Sequence, residues 1–228
     1  MHTRTIRALC LTTTAAALIL PAGAAWAETL TVSGITASEA SGYRLSVPTV
    51  VIEDGNFTED QVRALFASGD RDAFAALAGL TAKSVSIPEI DLTYTVPAVD
   101  TSTAPGAPVT ASVSYKGLLL TDVVDGVAAS ATLESSLTST SQAATATSTW
   151  GTLGTGRLDL GALLGFYGIR PGAGNEAIRS VVDDLRFAGG KVESGTAGAG
   201  SVHCDLGEAS VENFSARPLK TSLAEISG

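Results

Sequence analysis

Cysteine, histidine and tryptophan are nearly missing from this chain, and basic residues are scarce. The 228 residues hold two cysteines, two histidines and two tryptophans. Cys10, His2 and Trp26 fall within the first 27 residues, so beyond them only Cys204, His203 and Trp150 remain. One thiol cannot close an intramolecular disulfide, and one imidazole is too few for a histidine-based metal site. Aromatics make up 5% of the chain, few for the stacking platforms that sugar clefts use. Lys and Arg number 14 against 23 Asp and Glu. No basic cluster exists to meet the phosphates of nucleic acid or of anionic lipid headgroups. No apolar run after residue 27 approaches the roughly 18 residues of a membrane helix.

What is present begins with a three-part leader. Arg4 and Arg7 supply a positive start, Ala8 to Leu20 is apolar apart from Thr12, Thr13 and Thr14, and Pro21 and Gly23 break the run. Ala25-Trp26-Ala27 puts small residues where signal peptidase reads them. Residues 1–27 are therefore expected to be a secretory signal peptide, cleaved before Glu28. The apolar stretch is short for a bilayer, which disfavours an uncleaved anchor, and Leu9 before Cys10 is wrong for lipidation. All 23 acidic residues follow the leader and two of the 14 basic ones lie in it, so twelve positive charges face 23 negative ones, a net −11. The reading is an exported, soluble, acidic protein, periplasmic or extracellular, with no integral membrane span after cleavage and no nucleic-acid partner. Removing 27 of 228 residues leaves 201, enough for one core that buries roughly 70% of the unfolded surface.

Strand and helix signals then alternate. Thr29 to Ile35 reads as a strand, with a turn near Ser41-Gly42. Arg44 to Glu53 and Val85 to Val96 share the pattern apolar-Ser-apolar-Pro-x-apolar-x-apolar around Pro48 and Pro88. A proline where alternation changes phase marks a bulge or an edge position. Between these strands Thr58 and Gln61 have capping-box spacing, Phe57 and Val62 that of a hydrophobic staple, and Val62, Leu65 and Phe66 form a stripe closed at Gly69. Asp70 then caps a second helix with Phe74 and Leu77, ending at Gly79. Leu118 and Leu120, the turn Asp125-Gly126, and Val127 to Leu133 form a hairpin. Ser135 to Thr152 suits a linker or a polar-faced strand. Leu160, Leu163, Leu164 and Tyr167 predict a helix after Asp159, and Ile178, Val181, Val182 and Leu185 predict another after the turn Pro171-Gly172 and a cap at Asn175. Gly189 to Gly200 reads as a flexible stretch before a strand pair over Ser201 to Phe214.

The expected fold is α+β, an antiparallel or mixed sheet covered on one side by two pairs of short amphipathic helices. It forms one domain over 28–228, open to an internal duplication with half-units 28–100 and 108–214.

Catalytic signatures do not emerge, so the residues nominate no catalytic, cofactor-binding or metal site and no cofactor. A Cys204–His203 nucleophilic pair fails because strand neighbours point to opposite faces; Cys204 shares parity with Val202 and Leu206 and is expected to be buried. Neither Gly-x-Ser-x-Gly nor Ser-x-x-Lys occurs. Asp122, Asp125 and Gly126, and Asp70 with Asp72, lack calcium-loop spacing. The glycines from 195 to 200 lack the dinucleotide fingerprint. Asn56-Phe57-Thr58 and Asn213-Phe214-Ser215 match the glycosylation sequon.

The organisation, strands alternating with short Leu-rich helices at Leu160 to Tyr167 and Ile178 to Leu185, resembles AsmA-like bacterial envelope proteins. That resemblance covers the plan of the mature chain, transfers no functional residue, and implies an apolar groove for lipids. Three functions stay open: an envelope protein binding an apolar ligand or a protein partner, a structural or adhesive β-rich protein, and a hydrolase with carboxylate acid/base chemistry.

Overall fold

The computed structural model describes residues 28–38, 43–67, 71–96, 100–101, 104–105, 108–140, 144–196 and 200–222. Strands β1 (Thr29–Ser38), β2 (Arg44–Glu53) and β3 (Ala82–Val96) come first, then a small ribbon of β4 (Asp100–Thr101) with β5 (Ala104–Pro105). β6 (Val109–Val124), β7 (Val127–Thr140), β8 (Ala144–Thr155) and β9 (Arg157–Asp159) follow. β10 (Arg179–Phe187), β11 (Gly190–Thr196), β12 (Gly200–Leu206) and β13 (Ala209–Ala216) complete the set. Helices α1 (Glu59–Phe66) and α2 (Arg71–Ala76) lie between β2 and β3, and α3 (Leu160–Phe166) between β9 and β10.

All strands but the ribbon join one antiparallel sheet of 11 strands. The registers show that its shorter strands are pieces of longer ones. β8 and β9 run along β7, β11 and β10 run along β8 and β9, and β12 and β13 run along β11 and β10. The sheet is an up-and-down meander, with β1 at one edge and β12 and β13 at the other.

The α+β expectation is therefore wrong: the chain is mostly β, with three α-helices among the described residues. The first helix pair exists as α1 and α2, and the second reduces to α3. Ile178 to Leu185, expected as a helix, falls mostly in β10. Its helical spacing comes from a strand that changes facing twice. Register with β13 slips between Ser180 and Val182, and Asp184 is left-handed at φ 52. Each interruption carries the next inward residue three positions on instead of two, so Val182 and Leu185 turn inward together. Gly189 to Gly200 is not one flexible stretch, because β11 occupies most of it. Ser201 to Phe214 is not a strand pair either, since β12 and β13 lie end to end along β11 and β10.

Three-residue spacing recurs along a line across the sheet. Val32 and Ile35 of β1 are both buried in one core cluster, as are Val47 and Val50 of β2. Strict alternation would separate each pair onto opposite faces. Gly34 (φ 67) and Pro48 lie between them, at one level of the β1–β2 ladder. Pro88 sits between Ile87 and Ile90, and Gly117 (φ 62) between Tyr115 and Leu118. Gly151, Gly189 (φ 86) and Gly207 then follow Trp150, Ala188 and Leu206. The pairings place all of these at one height. Each strand holds one extra residue there, a row of aligned bulges, so pairing resumes in unchanged register beyond it. β7 alone keeps two-residue spacing, from Leu133 to Ser135, and the register shifts on both of its sides. A second, shorter row holds the left-handed Asp122 (φ 46) and Asp184, with Gly156 packed against Asp184. Pro48 and Pro88 are thus bulge markers in interior strands; the β2–β3 ladder is open between Ser46–Asp91 and Val51–Ser86.

The core lies at the corner where the helices sit. Thr58 and Gln61 form the capping box, with Gln61 N–H donating to Thr58 Oγ1 at 3.3 Å and Thr58 N–H to Gln61 Oε1 at 2.9 Å. This aims Val62, fully buried beside Phe57, into the cluster with Val32 and Ile52. The Gly69 stop and the Asp70 cap lie outside the described residues, as does the Ser41-Gly42 turn. At the Asp125-Gly126 hairpin, Gly126 N–H donates to Leu80 O and Leu160 N–H to Gly126 O, each at 2.8 Å. Asp159 caps α3 through Ala162 N–H at 2.8 Å. Its side chain, 3% exposed, also meets Arg179 at 3.0 Å and Arg157 at 3.4 Å.

Candidate functional site

One face of the sheet passes from covered to open along a single level. Near the helices Val32 pairs with Val50 and Ile87 with Leu118, and this end is closed by the core. Further along, Leu133 pairs with Leu153 and Leu153 with Phe187. There Leu153 is 37% exposed. Across the bulge Trp150 is 39% exposed, and its ring meets Phe187 with centroids 5.4 Å apart at 50°. Leu133, Ser135, Trp150, Gly151, Leu153 and Phe187 line a small cavity of about 120 Å³. The extra residue at the bulge makes this possible. With strict alternation Trp150 and Leu153 would face opposite sides.

Below the bulges the apolar file continues. Leu45 pairs with Leu92, Leu92 with Val113 and Val113 with Leu137. Beyond Ser148 the file reaches Val192 and Cys204 at the open edge. On the other side, Leu185 pairs with Val211, which is 44% exposed.

The opposite face is a field of hydroxyls. Thr93 and Ser112 approach to 3.3 Å, Thr95 and Thr110 to 3.4 Å, and Thr121 and Ser130 to 2.7 Å. Ser135 to Thr152, read as linker or strand, is strand throughout its described residues. A broad groove of about 830 Å³ crosses β8, β10 and β13, with Arg186 among Asp184, Glu208 and Glu212.

Individual candidates land as follows. Cys204 is exposed, against the expectation of burial. It does share a face with Val202 and Leu206, but nothing among the described residues covers that face at the edge. His203 turns to the other face, where its ring nitrogens lie 3.3 Å from Glu193 and from Asp205. Asn56 donates to Gly79 O and accepts from Thr81 N–H, both at 2.9 Å, which ties the helical segment to β3. Asn213 donates to Asp183, which also accepts from Ser180 Oγ at 2.6 Å. These two hydrogen bonds, helped by Arg157 at 3.9 Å, hold the Asp183 carboxyl below its ordinary range. Among the described residues no three His, Cys, Asp or Glu side chains gather into a metal-binding group, and no helix is long and apolar enough to cross a membrane.

Sequence reasoning passed over Trp150 and Phe187. The available signal was an aromatic set directly before Gly151 in one strand and just before Ala188-Gly189 in the other. The chain matches no protein-family model, no curated protein and no solved structure.

Proposed function

We propose that the protein is exported and binds an elongated apolar ligand of lipid class on the open part of its apolar face, between β7 and β13. The observation that carries this reading is the change of cover along one face, from the closed core at Val32 and Val50 to the exposed Trp150, Leu153 and Val211. Adjoining exposed apolar side chains of this kind favour a binding role in a folded protein. From Leu133 through Leu153 and Phe187 to Ala209 the face crosses three strand spacings, about 14 Å. An acyl chain laid along it would gain roughly 0.8 kcal/mol for each methylene taken from water. The side chains needed are apolar and aromatic, and no ionised group is required at the chain. The leader-like residues 1–27 support the same reading, since lipids in a cell envelope need a sheltered surface in water.

Trp150 makes the test direct, because it is the one tryptophan after residue 27. Its emission should shift to the blue when residues 28–228 are titrated with a long-chain fatty acid or a lysophospholipid below its micelle concentration. Native mass spectrometry of the protein taken from its own host envelope should show a retained lipid. No shift with either lipid, together with a bare mass, refutes the reading. The structural or adhesive alternative rests on the hydroxyl field. Its Ser and Thr side chains bond to one another across strands, which stiffens the sheet without any partner.

A further inference from the structure

We infer that β12 is a self-association edge, pairing antiparallel with β12 of a second copy about a two-fold axis at Cys204. The two edges of the sheet are treated differently. Along β1, helix α1 packs against the strand, and Arg63 Nη2 donates to the Ser33 carbonyl at 3.2 Å. Along β12 every residue from Gly200 to Asp205 is exposed, and Val202 is 69% exposed. A bare edge presents unpaired N–H and C=O groups to any strand that fits. Three of the usual defences are missing, for β12 holds no proline, no lysine and no bulge against β11.

The strand's own chemistry says what fits. Residues directly opposite in an antiparallel pair share a face. An axis at Cys204 sets His203 opposite Asp205 of the second copy, twice, and Val202 opposite its Leu206, twice. Moving the axis to His203 brings imidazole against imidazole. Moving it to Asp205 brings carboxylate against carboxylate. Among these three registers, the one at Cys204 alone sets imidazole against carboxylate and large apolar against large apolar. It also makes the apolar file through Val192 and Cys204 continuous across the seam. This inference does not depend on the ligand reading, since it concerns the backbone edge and not the face.

Residues 28–228 under reducing conditions should sediment with the mass of two chains at micromolar concentrations. His203→Asp, which sets two carboxylates opposite each other, should weaken self-association at least tenfold. His203→Asp with Asp205→His together should restore it. The register is read separately by thiol oxidation with glutathione disulfide, in which two protein thiols form one interchain disulfide and two glutathione molecules leave as thiols. Wild-type Cys204 should give a covalent dimer. In the Cys204→Ser background, Val202→Cys with Leu206→Cys should cross-link, whereas Val202→Cys alone should not. A single-chain mass with Cys204 trapped as its glutathione adduct overturns the proposal, as does efficient cross-linking by Val202→Cys alone.

Discussion

Replacing Gly126 by alanine should be among the most damaging single changes in this fold, and the reason is local. Gly126 is left-handed at φ 75, a conformation that costs a residue with a Cβ about 1–2 kcal/mol. A Cβ built there would stand 2.7 Å from Ala78 Cα and Ala78 O. Those are backbone atoms that cannot swing aside, so the β6–β7 turn must lift away from the segment before β3. Lifting removes the bonds from Gly126 N–H to Leu80 O and from Leu160 N–H to Gly126 O, each worth about 1 kcal/mol net. Strain and lost bonds together come to roughly 3–4 kcal/mol. Gly34 supplies the control: it is left-handed at φ 67, yet no heavy atom lies within 4 Å of its would-be Cβ. Gly34→Ala should therefore show the strain alone, about 1–2 kcal/mol. Urea unfolding followed by Trp150 fluorescence separates them. With a slope of about 2 kcal/mol per molar urea, the Gly126→Ala midpoint should fall by roughly 2 M. Equal shifts for the two variants would show that the hairpin tip is not docked on the helical segment.

Three further outcomes are expected. Leu164→Ala removes a buried side chain from α3 and should cost about 2–5 kcal/mol, while the half-buried Leu163 should cost clearly less; the same urea midpoints decide. Asp159→Ala strips the α3 cap and leaves the solvent-reached Arg157 and Arg179 without their shared carboxylate, a loss of about 1–3 kcal/mol by thermal or urea unfolding. Because Asp183 is held below the ordinary value of 3.8, the unfolded state binds the proton more readily, so its contribution is full above that pH and drains away below it. The stability gap between wild type and Asp183→Asn, measured across that range, should close as the medium is acidified, and a constant gap would refute the assignment.

Signals that act within a few residues were legible. The capping box at Thr58 and Gln61, the Asp125-Gly126 hairpin and the helix that follows Asp159 each depend on neighbours in sequence, and each formed. Pro48 and Pro88 were legible as breaks in alternation, although not as members of one line, because the other members are single glycines spread over 173 positions from Gly34 to Gly207. Periodicity misled where the bulges intervene. A strand interrupted by a left-handed residue repeats its inward positions at three, which is also what an amphipathic helix shows, and Val182 and Leu185 fell into that ambiguity. Parity placed Cys204 correctly with Val202 and Leu206. Burial could not be read from parity, since it depends on whether another layer lies over the face, and at the β12 edge none of the described residues supplies one. The Trp150–Phe187 contact was hidden for a similar reason, being made across two rows and over a bulge.

The line of bulges also constrains how such a gene can change. Deleting Gly117 alone would leave Tyr115 and Leu118 two positions apart and still on one face, but the slip now on the β7 side of β6 would pass to its β3 side. In a strand such as β2, whose neighbours on both sides carry the extra residue, one deletion would put a slip on each side. Single-residue deletions along that line should therefore be costly, most of all in such strands, even at glycines that touch nothing. β7 shows what an accommodated exception looks like, since it lacks the extra residue and the ladder slips on either side of it. Descendants of this sequence would be expected to vary freely in the length of their hairpin tips while holding the count of residues through the line fixed.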